Sequence, residues 1–370
     1  MNKILGIINF EQNDVQLEGI SQFRPFSSIT FLGRYRLIDF ILSNLSNSGV
    51  KNFQIYVKEK PRSVFEHVGI GSQYNINSKQ GKMRVMYGEQ PSISPIYNTD
   101  ITAFLENLQW IEEDKAETVV IAPSHFVYTQ DFSDVIKQHQ ERGSDITVLY
   151  KNTDEAKSEF AGCTTLTLDK NKRVIATDVN RGQAMHRSIS LDAFIMSKEL
   201  FIKLIKQAHT ISSIYWLKEM IFDNIMDLKV DGYSVRSEVF AITNLDAYYR
   251  AQMRLIDTHK SSLFKKGWPI YTRTSDSPPT MYSRKAEVSS SLIANGVIIE
   301  GKVVNSIIGR GCQIAPGAVV ENSIILPNSV IGVGVHVNNA IIDKHVKAHR
   351  IKEIKGTPDN LVYIKRRDSI

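Results

Sequence analysis

Short apolar runs alternate with helix-period segments through the first two thirds of the chain. Ile4 to Ile8, Phe53 to Val57, Thr118 to Ala122 and Ile146 to Tyr150 are near-continuous apolar stretches of strand length, the pattern of strands buried on both faces. Between the first two, Leu37, Ile41 and Leu45 share one helix face at i, i+4, i+8, and Gly49 stands where a C-terminal cap belongs. Strand–helix alternation of this kind predicts a mostly parallel sheet covered by helices on both faces. Ligands in such sheets bind beyond the carboxyl ends of the strands. The loops after Ile8 and Ile121 are therefore expected at the mouth of any site.

A helical segment, Leu245 to Lys260, follows, and then a proline-containing linker, Ser275 to Thr280. Past it the pattern changes. Ser290-Ser291-Leu292-Ile293, Asn305-Ser306-Ile307-Ile308, Asn322-Ser323-Ile324-Ile325 and Asn339-Ala340-Ile341-Ile342 recur at spacings of 15, 17 and 17 residues. Within a repeat, apolar residues return every six, as in Ile308, Ile314, Val320 and Ile325, Ile331, Val337. Gly309-Arg310-Gly311 and Gly332-Val333-Gly334 supply turns. Hexapeptide periodicity predicts a parallel β-helix in which each coil buries its apolar side against the next. A meandering β-sandwich would not hold asparagine at one fixed phase. Three segments result: a sheet domain at 1–245, a helix and linker at 246–285, and a β-helix at 286–370, whose open end and flat sides suit oligomer contacts.

Composition changes this picture little. With 42% hydrophobic and 23% charged residues, the chain reads as an ordinary soluble globular protein. No apolar run approaches the roughly 18 residues that span a bilayer, and the N-terminal stretch turns polar too early for a signal peptide. Cys163 and Cys312 lie far apart with no metal-ligand spacing, so a reduced, cytoplasmic protein is expected. The net charge of +6 allows phosphorylated ligands, and no nucleic-acid-binding signature accompanies it.

Three blocks carry a family resemblance. Gly33-Arg34-Tyr35-Arg36-Leu37-Ile38-Asp39-Phe40 runs on through Leu42-Ser43-Asn44 to Asn47-Ser48-Gly49. His67-Val68-Gly69-Ile70-Gly71 forms a second block, and Val330-Ile331-Gly332 with Asn339 to Lys344 a third. Over nearly its whole length the chain resembles bacterial glucose-1-phosphate adenylyltransferase (ADP-glucose pyrophosphorylase). The resemblance implies a nucleotidyltransferase-type, Rossmann-like α/β domain followed by a left-handed parallel β-helix.

The chemistry of that family needs particular groups. A sugar phosphate attacks the α-phosphate of ATP, and the barrier falls through positioning and through charge neutralisation by magnesium and basic side chains. Magnesium takes hard oxygen ligands, normally one or two carboxylates. A glycine-rich turn lets backbone N–H groups reach the triphosphate. Here each feature is altered. In place of the glycine-rich loop stands Asn9-Phe10-Glu11-Gln12-Asn13-Asp14-Val15-Gln16-Leu17. The resemblance puts Ser124 and Ala241 at the two metal-aspartate positions, Asn180 near the sugar-phosphate lysine, and Thr99 to Ala103 at a further family segment. Losing loop and both carboxylates removes triphosphate cradle and metal together, so no catalytic residue is assigned.

This pattern is similar to the family's GlgD-type regulatory branch, which pairs with a catalytic adenylyltransferase subunit. The resemblance implies no cofactor in this chain, with magnesium in the catalytic partner, a heterotetramer, a role in glycogen biosynthesis, and a sugar-phosphate effector bound between the domains. Arg24, Arg36, Lys365 and Arg366 are the effector candidates it carries over, although Phe26 stands where the family has an effector lysine. A weakly active adenylyltransferase and a sugar-phosphate sensor without an enzyme partner are the alternatives. Ser124-His125 as a nucleophile and base lacks a third partner, and His345 with His349 lacks the helical setting of a metal pair. His336 within a coil would suit a β-helical acyltransferase, which usually has a longer solenoid.

Overall fold

The computed structural model describes residues 3–12, 15, 17–77, 79, 81–87 and 97–370. Asn13, Asp14 and Gln16 of the altered loop lie outside the described residues. The four apolar runs form strands Ile4–Asn9, Asn52–Tyr56, Thr118–Pro123 and Ile146–Thr153. The first three join Lys82–Met86 in a parallel block, with Ile4–Asn9 between Asn52–Tyr56 and Thr118–Pro123. Beyond that block the nine-stranded sheet is mixed. Arg187–Ser197 runs antiparallel to Thr118–Pro123, Ile146–Thr153 and Thr164–Leu168, and Val174–Val179 closes that edge. The hairpin of Thr164–Leu168 with Val174–Val179 and the long strand after it carry the antiparallel pairs, which an expectation built on strand–helix alternation did not contain. Apolar side chains from both faces make two cores, one around Ile8, Phe53 and Val120 and one around Leu5, Phe104 and Phe201.

Helix Leu37–Asn47 follows the expected period, with Leu37, Ile41 and Leu45 buried. The Asp39 carboxylate accepts the Arg36 N–H at 2.8 Å, satisfying an orphan donor at the helix start. At the other end Gly49 takes φ 82° and its N–H reaches Ser46, the left-handed cap that Gly adopts without steric cost.

The C-terminal segment folds as a left-handed β-helix with three five-stranded parallel sheets. Its repeated Asn-Ser-Ile-Ile unit has a separate job for each residue. Asn305, Asn322 and Asn339 turn a corner at φ 45–48°, a region that Asn tolerates better than most residues. Their amides stack, Asn305 Nδ2 donating to Asn322 Oδ1 at 2.7 Å. The serine hydroxyls bridge coils: Ser323 N–H donates to Ser306 Oγ, and Ala340 N–H to Ser323 Oγ, each at 3.1 Å. The second isoleucines, Ile308, Ile325 and Ile342, fill the solenoid.

The first isoleucines face outward. Ile307, Ile324 and Ile341 pack with Phe31, Leu32, Tyr248 and Leu255 in one core shared by both parts of the chain. The period-two alternation of strands thus turns an Ile-Ile pair into a solenoid filler and a docking residue. Gly33 sits at φ 73°, where a Cβ would come 3.1 Å from the Ile308 carbonyl oxygen. The first sequence block therefore needs its glycine for close approach of the solenoid. Helix Leu245–Arg254 belongs to the same interface, with Tyr249 Oη donating to the Asn322 carbonyl at 2.6 Å.

Candidate functional site

Two neighbourhoods gather polar side chains. The first lies beyond the carboxyl ends of Ile4–Asn9 and Thr118–Pro123, the position that parallel sheets favour. Strand Ile4–Asn9 ends by delivering Asn9, whose Nδ2 donates to Asp100 Oδ2 at 2.7 Å, while Asp100 Oδ1 accepts the Leu217 N–H at 2.9 Å. Asp100 begins helix Asp100–Glu106, and burial pushes its carboxyl up to about 6. Two residues past Asn9, Glu11 turns inward and accepts the Ser124 hydroxyl at 2.6 Å. Burial raises the Glu11 carboxyl to about 7, partly offset by that hydrogen bond. A residue of the altered loop thus reaches Ser124 directly.

The other position that the resemblance singled out behaves differently. Ala241 ends strand Val239–Ala241, which pairs antiparallel with Phe126–Tyr128, and its methyl group is part of the apolar core. A hydroxyl already donated to a carboxyl and a methyl group do not make a magnesium site. No group of three or more His, Cys, Asp or Glu placed to hold a metal occurs among the described residues. Asn180 is a structural amide: buried, it donates to the Ala156 carbonyl at 2.8 Å and the Phe160 carbonyl at 2.9 Å. The cation on this cleft is Lys218, paired with Asp192 at 3.2 Å. Sequence reasoning missed Lys218, Asp192 and the inward turn of Glu11, because they converge only through the fold.

The second is a cluster of charged side chains where the sheet domain meets the solenoid. Arg24 Nη2 donates to both oxygens of Asp343, at 2.5 and 2.7 Å, with side chains 4% and 0% exposed. Tyr363 Oη at 2.8 Å and the Lys344 N–H at 2.6 Å complete the Asp343 carboxylate. Arg36 donates from Nη1 to the Ser63 carbonyl at 2.5 Å. Beneath it Asp39 collects His67 Nε2 and Tyr74 Oη, each at 2.6 Å, so the first two sequence blocks meet at one buried carboxylate.

Cations outnumber anions here. Lys344 is lowered to about 7, first by burial and then by the charges of Arg24, Arg36 and Arg366. Arg310 feels Arg34 and Arg273, and the Arg366 guanidinium lies 5.9 Å from the centre of the Phe23 ring. Arg24 Nη1, Arg310 Nε and Arg366 Nε are buried with no hydrogen-bond partner among the described residues. Buried orphan donors on cations are costly, and an anion of several oxygens would satisfy them. The fold therefore brings Arg24, Arg36 and Arg366 into one neighbourhood, whereas Lys365 is exposed beside it. Lys344 and Asp343 stood inside the third sequence block and Arg310 inside a glycine turn. Their chemistry was visible, but their convergence was not.

Comparisons with known proteins agree with this architecture. A nucleotidyl transferase family model matches residues 15–177, and a GlmU-like C-terminal hexapeptide model matches 279–358. The glycogen biosynthesis protein GlgD of Bacillus subtilis (strain 168) is 28% identical over 368 residues, covering 99% of this chain and 96% of the relative. GlgD of Geobacillus stearothermophilus is 30% identical over 323 residues, 86% of this chain and 83% of the relative. The glucose-1-phosphate adenylyltransferase of Clostridioides difficile (strain 630) is 26% identical over 317 residues, 82% and 80% of the two chains. With both domains in order and a relative of this identity over most of its length, the chain belongs to the glucose-1-phosphate adenylyltransferase and GlgD family of nucleotidyltransferases.

Proposed function

We propose that the chain is a non-catalytic regulatory subunit of a glucose-1-phosphate adenylyltransferase, supporting ADP-glucose synthesis from ATP and glucose 1-phosphate for glycogen biosynthesis. The observation that carries this reading is the Glu11–Ser124 hydrogen bond. A carboxyl from the altered loop takes up the residue at a former metal position, and the other former position is a buried methyl. The carboxyl groups that line this cleft are engaged within the chain, Glu11 by Ser124, Asp100 by Asn9 and Leu217 and Asp192 by Lys218, which disfavours their taking up magnesium and a triphosphate.

In this reading the partner is a catalytic adenylyltransferase subunit, in a heterotetramer, and regulation passes through the charged cluster between sheet domain and solenoid. Arg36, Lys344 and Arg366 would meet a phosphate-bearing effector. Arg24, engaged by Asp343, would clamp the two domains, and Lys365 would add long-range attraction from the rim. An effector bound more tightly in the active state of the complex must favour that state.

The test is to purify the chain, mix it with a catalytic homologue, and follow the homologue's kinetics with and without sugar phosphates. The reading expects a changed effector response or substrate affinity on mixing, reduced in an Arg36→Gln/Arg366→Gln variant. Unchanged kinetics across all mixing ratios would contradict it and favour a sensor that acts without an enzyme partner.

A further inference from the structure

A wide cleft of about 880 Å³ opens where the parallel strands begin, at the end of the sheet opposite the strand-end cleft of Glu11 and Ser124. Ile4–Asn9, Asn52–Tyr56 and Lys82–Met86 are neighbours there, with Asn52 opposite Leu5 on one side and Lys82 on the other. This register sets Lys3, Lys51 and Lys82 at three adjacent strand beginnings, roughly 5 Å from strand to strand. Arg84, two residues into its strand, shares a face with Lys82. Lys115 comes from the segment before Thr118–Pro123, and Lys137 from the helix Phe132–Arg142 that walls one side.

The charge of this cleft is not cancelled by its own acids. Glu113 and Asp114 also line it, and both are engaged by neutral donors. Glu113 Oε1 accepts Gln109 Nε2 at 2.8 Å, while Asp114 accepts Asn52 Nδ2 at 3.0 Å and the Ala116 N–H at 2.9 Å. Lys3, Lys82, Arg84 and Lys115 form no salt bridge among the described residues, whereas Lys206, Arg250 and Arg254 each pair with a glutamate. The Arg84 guanidinium lies 4.3 Å from the centre of the Trp110 ring, a contact that holds it in place without neutralising it. A solvated lysine face spreads its cations along one element. Here strands, a loop and a helix aim them into one concavity, which raises its potential and gathers anions.

The lining also says which anion fits. It contains no aromatic side chain among the described residues, so a nucleobase finds no stacking partner there. An acidic peptide draws its affinity from apolar anchors in pockets, and Ile136 at this cleft is already buried in the sheet domain's own core. Phosphates joined through single bridging oxygens sit closer together than carboxylates on a peptide. They match cations placed one strand apart, with lysines as point charges and Arg84 as a planar fork. From these features we infer that the cleft at the strand beginnings binds a linear oligophosphate of three or more phosphate groups, held by Lys51, Lys82 and Arg84. The site shares no residue with the interdomain cluster and does not rest on a regulatory partner.

The test is calorimetric titration of the full chain, in the Arg36→Gln/Arg366→Gln background and with a chelator present, with inorganic tripolyphosphate. Orthophosphate, ATP, hexaglutamate and hexauridine are titrated in parallel. Tripolyphosphate should bind saturably, and orthophosphate about tenfold or more weakly. Lys51→Gln/Lys82→Gln/Arg84→Gln should weaken tripolyphosphate about tenfold or more. Lys265→Gln/Lys266→Gln/Lys285→Gln removes the same charge from residues outside the cleft and should leave binding within about twofold, with circular dichroism confirming that both variants fold. ATP, which carries the same phosphate chain on a nucleoside, should bind no more tightly than tripolyphosphate. Tighter binding of ATP, hexaglutamate or hexauridine, lost in the cleft variant, would overturn the inference. So would the absence of saturable tripolyphosphate binding, or an equal loss in the two triple variants.

Discussion

The strand-end cleft and the interdomain charged cluster lie in one chain and carry opposite electrostatics. The first collects carboxyl groups, Glu11, Asp100 and Asp192, around a neutral histidine. The second collects Arg24, Arg36, Arg310, Lys344 and Arg366 around the two carboxylates Asp39 and Asp343. In the first, Ser124 donates its hydroxyl to Glu11 and Ala241 lies in the apolar core. In the second, three guanidinium nitrogens have no hydrogen-bond partner among the described residues. The contrast teaches that one scaffold can gather carboxyl groups at one end of its sheet and hold a strong positive field where its domains meet. The two properties rest on different residues, so they can separate.

The sharpest way to break this contrast is at Asp343. Asp343→Ala leaves Arg24 buried and uncompensated between the domains, and should cost about 3–5 kcal/mol in denaturant unfolding. An Arg24→Met/Asp343→Leu double variant should recover much of that loss, since it removes both charges. A next test restores what the first cleft lost. Ser124→Asp/Ala241→Asp should yield no pyrophosphate release, because the glycine-rich turn is still missing. It should also lower stability by about 2–4 kcal/mol by placing carboxylates beside Glu11 and in the core.

Titration gives smaller effects. Glu11 has a folded value of about 7, above its ordinary 4.5, so the folded state binds the extra proton between these values. Its contribution to stability is therefore lost as pH rises from 4.5 through 7. Glu11→Gln should raise stability by about 1–2 kcal/mol at pH 8 and leave it unchanged at pH 4. Lys344 runs the other way, with a folded value of about 7 below its ordinary 10.5. Its unfavourable burial is felt below 10.5 and stability rises as pH rises from 7 to 10.5. A bound anion favours its charged form, so sugar-phosphate affinity at the interdomain cluster should fall by about three- to tenfold from pH 7 to pH 9. Lys344→Gln should flatten that fall.

Periodicity made much of the fold legible. Runs such as Ile4 to Ile8 and the Asn-Ser-Ile-Ile unit state their own secondary structure, because burial on two faces and coil stacking each demand a fixed apolar spacing. The antiparallel course of Arg187–Ser197 was not legible, since strand direction depends on how a crossover is routed rather than on the strand's own residues. The losses at Ser124 and Ala241 were readable as replaced residue types. The inward Glu11 was printed in the altered loop, yet its hydrogen bond to a residue 113 positions away could come only from the sheet. For the same reason Arg24 was readable as a cation but not as Asp343's partner.

The central claim is that the strand-end cleft no longer performs the family's reaction. The most direct measurement incubates the purified chain alone with ATP, glucose 1-phosphate and magnesium and follows pyrophosphate and ADP-glucose. The account predicts no product above a heat-denatured control at any pH from 6 to 9. Sustained formation of both products in equal amounts, lost on Glu11→Ala or Lys218→Ala substitution, would contradict it.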